Sequence, residues 1–181
     1  MSRSSQAAAW LPIVFLAYSA ALVDPADAGV DTRCRVEGSV RRTPERTYVL
    51  HVPRAEKIFT PAEAARVRPG KGEVIIRGSL PAQARAGGAA QTHVSVHILD
   101  RASGRAVWRP YPLRVTLALA GGRPRPVAVA LMQGVGKSVC DRHYGTNLKL
   151  ESGRKYRLTA MLGGESVAFT FRASAGHGGH G

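Results

Sequence analysis

Six histidines carry most of the chemistry this sequence can offer: His51, His93, His97, His143, His177 and His180. Met132, Met161, Cys34 and Cys140 add soft sulfur donors. Imidazole combined with thioether or thiolate suits copper. His93 and His97 stand four apart in "THVSVHILD", an alternating stretch, so as strand residues they share a face about 13 Å apart. That is too far for both to hold one ion without a bulge, but either can meet a residue from a neighbouring strand. His143 follows a glycine-rich segment, in "CDRHYGTN". The same letters have a purely structural reading. Tyr144 packs under a corner, Gly145 takes positive φ and Asn147 bonds its own backbone in an Asx turn. The His/Gly tail "SAGHGGHG" (174–181) reads as disordered, with His177 and His180 as weak, adventitious metal binders.

Other chemistries find little support. There is no G-x-S-x-G, H-E-x-x-H, Walker or Rossmann fingerprint. "GVGKS" (134–138) lacks the first glycine of a phosphate loop at the required spacing. From Thr92 onward the only carboxylates are Asp100, Asp141, Glu151 and Glu165, which argues against a paired-carboxylate hydrolase. The expectation is a non-enzyme.

The elements that would position these residues are mostly strands. "RTYVLHVP" (46–53) and "EVIIRGSL" (73–80) alternate. Between them "FTPAEAARVRPG" is a short helix, with Thr60 as cap, Pro61 at the first helical position and Glu63 completing a capping box. "PAQARAGGAAQ" (81–91) reads as a flexible loop. "THVSVHILD" (92–100) points Val94, Val96 and Ile98 one way and His93, Ser95, His97 and Leu99 the other. Next come "YPLRVTLALA" (111–120), "VAVALM" (127–132), a hairpin-like "KLESGRKYRLTAML" (149–162) around Ser152-Gly153, and "GGESVAFTFRA" (163–173). Short strands separated by Gly/Pro turns predict an all-β sandwich.

The N-terminus reads as an export signal over residues 1–28. Arg3 precedes a 17-residue apolar run (7–23), short for a span of about 20, and "ADA" offers small residues for cleavage before Gly29. The mature chain would hold 25 basic and 10 acidic residues, a net +15. Such charge attracts polyanions, but no basic helix or RNP-like strand points to nucleic acid. In an oxidising compartment Cys34 and Cys140 form one disulfide or remain as thiols, with Cys140 also a possible metal ligand.

From Thr92 to Phe171 the order of features resembles the periplasmic copper-binding proteins associated with high-affinity iron transport. The matching features are the histidine strand with His93 and His97, "DRASGRAV", Met132, "HYGTN", "LESGRKYRLT" and "GGESVAFTF"; the resemblance spans about residues 73–173. It implies an immunoglobulin-like β-sandwich, and the residues before it (29–72) then read as an N-terminal extension with one short helix. It also implies a periplasmic or secreted protein that holds or delivers copper, or iron, without catalysis. His143 matches the histidine ligand of "HYG", Met132 the methionine ligand, and His93 or His97 the strand histidine. Three departures stand out. Met132 is 11 residues from His143, Ser95 and Val96 fill the place of a strand glutamate, and the chain is basic rather than acidic. The expected partner is a membrane metal transporter, with a homodimer allowed. The alternative is a metal-free interaction sandwich docking on an anionic envelope component.

Overall fold

The computed structural model describes residues 33–88, 91–108 and 112–173. The expected signal (1–28) and the His/Gly tail (174–181) lie outside these residues. The chain divides into Met1–Asp31 and Thr32–Gly181, and every described residue belongs to the second unit.

Strand succeeds strand because the apolar residues recur every second position. The strands are β1 (Ser39–Arg42), β2 (Arg46–His51), β3 (Ile58–Phe59), β4 (Glu73–Arg77), β5 (Thr92–Asp100), β6 (Arg114–Leu119), β7 (Arg125–Val127), β8 (Ala130–Gly134), β9 (His143–Leu148), β10 (Lys155–Leu162) and β11 (Glu165–Arg172). They form a seven-stranded sheet in the order β1-β2-β5-β9-β8-β4-β3 and a four-stranded sheet in the order β11-β10-β6-β7. All strand pairs are antiparallel except β3 with β4. The protein is therefore a β-sandwich with little helix.

The core lies between the sheets. Tyr48, Leu50, Val94, Val96, Ile98 and Tyr144 of the large sheet meet Val115, Leu117, Tyr156, Leu158 and Phe169 of the small one. Leu117 and Leu158 are each 1 % exposed, and truncating such a residue to alanine costs about 2–5 kcal/mol. The β10–β11 hairpin turns on Gly163 and Gly164, with φ of 56° and 89°. Two consecutive residues of positive φ make the turn whose twist matches the flanking strands, and glycine adopts it without a Cβ clash.

Helix α1 (Pro61–Val67) forms as its start signals predict. The Thr60 side chain accepts from the Glu63 backbone, and the Glu63 carboxylate accepts from the Thr60 N–H at 2.7 Å. Of the segment read as an extension (29–72), the described part supplies β1, β2 and β3 to the large sheet as well as α1.

Several local expectations change. Ala82–Arg85, in the expected loop, is one helical turn, α2. "VAVALM" is two strand ends: β7 belongs to the small sheet and β8 to the large one. Residues 149–154 form no hairpin, because β9 and β10 lie in different sheets and the segment crosses between them. "HYGTN" is not a corner but the interior of β9, paired on both sides by β5 and β8. The corner precedes it, as a single 3-10 turn at Val139–Asp141.

Candidate metal centre

The alternation of β5 decides where its histidines go. Val94, Val96 and Ile98 enter the sandwich core, so His93, Ser95 and His97 face outward from the large sheet. Outward is not exposed here: these three residues are 3 %, 1 % and 4 % accessible. Segment 53–56, the stretch before β4 and the Lys137–Asp141 turn wall a cleft beside them, lined by Pro53, Glu56, Gly72, Glu73, Lys137 and Asp141. Pairing continues the same face across the sheet, with His93 opposite Asn147, Ser95 opposite Gly145 and Met132 opposite His143.

His143 sits between the two β5 histidines. Its ring centroid is 5.4 Å from that of His93 and 4.8 Å from that of His97. The separation along β5 is thus bridged by a third imidazole on the next strand. His93 Nε2 and His143 Nε2 are 3.2 Å apart. Glu73 Oε2, at the start of β4, is 3.8 Å from His143 Nε2. One ligand atom from each of Glu73, His93 and His143 lies within 4.8 Å of the others.

Gly145 makes this convergence possible. A Cβ there would stand 2.8 Å from His93 Nε2, 2.9 Å from His93 Cε1 and 3.1 Å from His143 Cδ2. The glycine is not at positive φ. Its role is the missing side chain, which leaves room for two rings to lean together. Asn147 likewise makes no Asx turn. Its Nδ2 donates to the Glu56 carbonyl at 2.8 Å, which turns its Oδ1 toward His93 Nδ1 at 2.9 Å. Tyr144 points the other way, into the core.

These bonds fix both tautomers. An amide oxygen and a carbonyl only accept. His93 Nδ1–H therefore donates to Asn147 Oδ1, and His143 Nδ1–H donates to the Asp141 carbonyl at 2.6 Å. Each Nε2 is left with a lone pair, and the two lone pairs face each other. A proton shared between them is disfavoured. Burial, then His97 and His93, pushes the His143 pKa down to about 3, and burial pushes that of His93 down as well. Two neutral acceptors at this distance repel unless a cation lies between them.

Glu73 adds to the same deficit. Its Oε2 is buried with no hydrogen-bond partner among the described residues. Burial, then the charges of Asp141 and Glu56, raises its pKa to about 8, opposed by Lys137. His97 Nδ1 is also buried and unbonded, and burial followed by His51 lowers the His97 pKa to about 4. The donors fit a metal ion. With bonds of about 2.0–2.1 Å at a near-tetrahedral angle, two ligand nitrogens stand roughly 3.3 Å apart. Each imidazole is oriented by a bond from its other nitrogen, the usual support of a metal-ligating histidine.

Of the residues singled out from sequence, the structure brings His93, His97 and His143 together. Met132 shares their face but lies fully buried in a small apolar cluster with Ile58, Ile75, Leu80 and Ala130. Cys34 and Cys140 form a disulfide, so Cys140 is no thiolate ligand; the bond suits an oxidising compartment. It anchors the 3-10 turn whose Asp141 carbonyl holds His143. Glu73 and Asn147 escape the sequence reading. A carboxylate count begun at Thr92 passes over Glu73, and nothing in "EVIIR" marks its first residue as a ligand. The cleft also offsets the chain's charge locally, since Glu56, Glu73 and Asp141 stand against Arg54, Lys71 and Lys137.

No family model matches the chain, and no curated protein matches it. Solved structures do. FetP of uropathogenic Escherichia coli strain F11, expressed recombinantly in the periplasm of E. coli, is similar at 17 % identity and a TM-score of 0.46, covering 76 % of this chain and 93 % of its own. A copper-bound variant of that FetP gives 17 %, 0.46, 75 % and 94 %. A DUF4426 family protein from Pseudomonas aeruginosa PAO1 is similar at 12 % identity and a TM-score of 0.42, covering 74 % of this chain and 92 % of its own. The likeness to FetP is partial and extends over about three-quarters of this chain.

Proposed function

We propose that this protein is an exported, non-catalytic metal-binding protein that holds copper, with iron as the second candidate, between His93, His143 and Glu73. One observation carries the reading: two buried imidazoles present unprotonated Nε2 atoms to each other at 3.2 Å, with both Nδ1–H groups committed to oxygen acceptors. A cation accepts both lone pairs at once and gives the orphaned Glu73 oxygen a partner. His97 supplies a further imidazole beside the ion, and Met132 a thioether on the same face. The protein would hold the ion for a membrane transporter.

Copper comes first because, for a given set of nitrogen and oxygen donors, it binds most tightly among the divalent first-row ions. Iron is the second reading, because two imidazoles and one carboxylate are also a donor set of ferrous sites. Titration calorimetry on the full chain tests both, with His177→Ala and His180→Ala removing tail binding. We expect one stoichiometric Cu(II) or Cu(I) site that His143→Ala abolishes, with ferrous iron unable to displace copper. Stoichiometric binding that survives both His143→Ala and His93→Ala overturns the ligand set. No binding of any of these ions overturns the function and leaves a metal-free interaction module.

A further inference from the structure

The small sheet turns one face to the core and the other to solvent, and the charged residues on the solvent face are all cations. Its outward positions are Lys155, Arg157, Thr159 and Met161 on β10, Arg114, Thr116 and Ala118 on β6, and Ser166, Ala168, Thr170 and Arg172 on β11. Arg114, Lys155, Arg157 and Arg172 are all exposed. Among the described residues of the four strands no carboxylate shares this face. Glu165 is the only acidic residue in the four strands, and it turns to Arg46 and Tyr48 of the large sheet, at 2.6 and 2.8 Å. The nearest acid in sequence, Glu151, sits in the loop before β10 beside Arg154, at 3.9 Å.

The arrangement is unfavourable for the isolated protein. Lys155 lies directly opposite Arg172 across the β10–β11 ladder, and like charges in that register repel. Among the described residues none of the four cations is in an ion pair. Arg172 bonds only a backbone carbonyl, that of Gly153. A bound polyanion relieves the repulsion.

The shape selects the kind of polyanion. Among the described residues the face carries no aromatic side chain on which a base could stack and no helix to enter a duplex groove. Between the cations stand small residues, Ala118, Thr116, Thr159, Ala168 and Thr170, which leave an open surface rather than a channel for a thin chain. Long cationic side chains spread over an open sheet match a planar array of phosphates.

We propose that the outer face of the small sheet is a docking surface for an anionic phospholipid bilayer. The surface is independent of the metal centre, which lies on the outer side of the other sheet. A protein seated this way would turn the mouth of its histidine cleft away from the lipid.

The test is co-sedimentation of the full chain with phosphatidylcholine vesicles containing roughly 40 % phosphatidylglycerol, against pure phosphatidylcholine, at low and high salt. Each Lys or Arg near an anionic surface strengthens partitioning about fivefold. The triple variant Lys155→Ser, Arg157→Ser, Arg172→Ser should therefore bind roughly a hundredfold more weakly. A charge-matched control, Arg35→Ser, Arg42→Ser, Arg66→Ser, should lose much less. Both variants change exposed side chains, and an unaltered thermal melt shows that they fold. Equal losses in the two variants would reduce the effect to net charge and overturn the proposal. So would equal binding to neutral vesicles, or binding to heparin or DNA without binding to the anionic vesicles.

Discussion

The outer faces of the two sheets are written in the same alternating code and end in opposite chemistry. On β5 the outward residues His93, Ser95 and His97 are buried beneath the segments that wall the cleft; on β10 the outward residues Lys155 and Arg157 stand in water. The covering layer makes the difference. Under it every polar atom needs a partner, so His93 and His143 are each locked by an oxygen acceptor and the unmet lone pairs mark a place for a cation. Without it cations remain solvated, and repulsion between neighbours is tolerated because water screens it. The chain's positive charge is thus compatible with a cation site, since the small sheet's face holds cations without acids while acids and bases balance around the cleft.

The contrast can be broken from the histidine side first. Replacing the disulfide by Cys34→Ser/Cys140→Ser opens a link between residues 106 apart. In the chain-entropy model such a link contributes about 4–5 kcal/mol. Urea denaturation should show a loss of that order, and metal affinity should fall with it because the 3-10 turn orients His143. Gly145→Ala should come next. The new Cβ occupies the space into which both rings lean, and copper affinity should drop at least a hundredfold while the core, on the opposite face, stays intact. Asn147→Ala frees the His93 tautomer and strands the Glu56 carbonyl. Loss of an orienting partner of this kind typically lowers metal affinity about 10–100-fold, measurable by competition with a chromogenic chelator.

A pH series sharpens the same side. The histidine pKa values are lowered, so protons do not compete at those nitrogens near neutrality. The Glu73 pKa is raised to about 8, so below that pH metal uptake must expel its proton. Affinity should fall by up to about tenfold per pH unit on acidification below 8, and Glu73→Gln should flatten the slope. The apo protein has its own signature. Unfolding restores the ordinary histidine value of 6.5, so below that pH the unfolded chain binds more protons and stability declines with acidification. The smallest effect belongs to the other face. Lys155→Ser with Arg157→Ser should change unfolding stability by no more than about 0.5 kcal/mol.

How much of the fold and the site is legible in the sequence depends on how local each signal is. The capping box of α1 and the Gly-Gly turn of the β10–β11 hairpin are written in adjacent residues, and both form as expected. The alternation of "THVSVHILD" gives the sides of β5 correctly. It cannot say that the outward side is buried, because segment 53–56 and the Lys137–Asp141 turn, which wall the cleft, lie about forty positions away on either side in sequence. For the same reason the local reading of Gly145 and Asn147 fails. A glycine that makes room for a ring on another strand, and an amide that bonds a histidine 54 residues away, leave no local trace. Glu73 reaches the site through the β4–β8–β9 order of the sheet, which no short motif encodes. "VAVALM" and residues 149–154 show the complementary failure, because period-two patterning marks strands without naming their sheet.

The most direct measurement is anomalous X-ray scattering at the copper edge from crystals of the loaded protein. One strong peak is expected, within about 2.0–2.2 Å of His93 Nε2, His143 Nε2 and a Glu73 carboxylate oxygen. A peak elsewhere, or a copper-soaked crystal in which the two imidazoles face each other with no peak between them, would contradict the proposed ligand set.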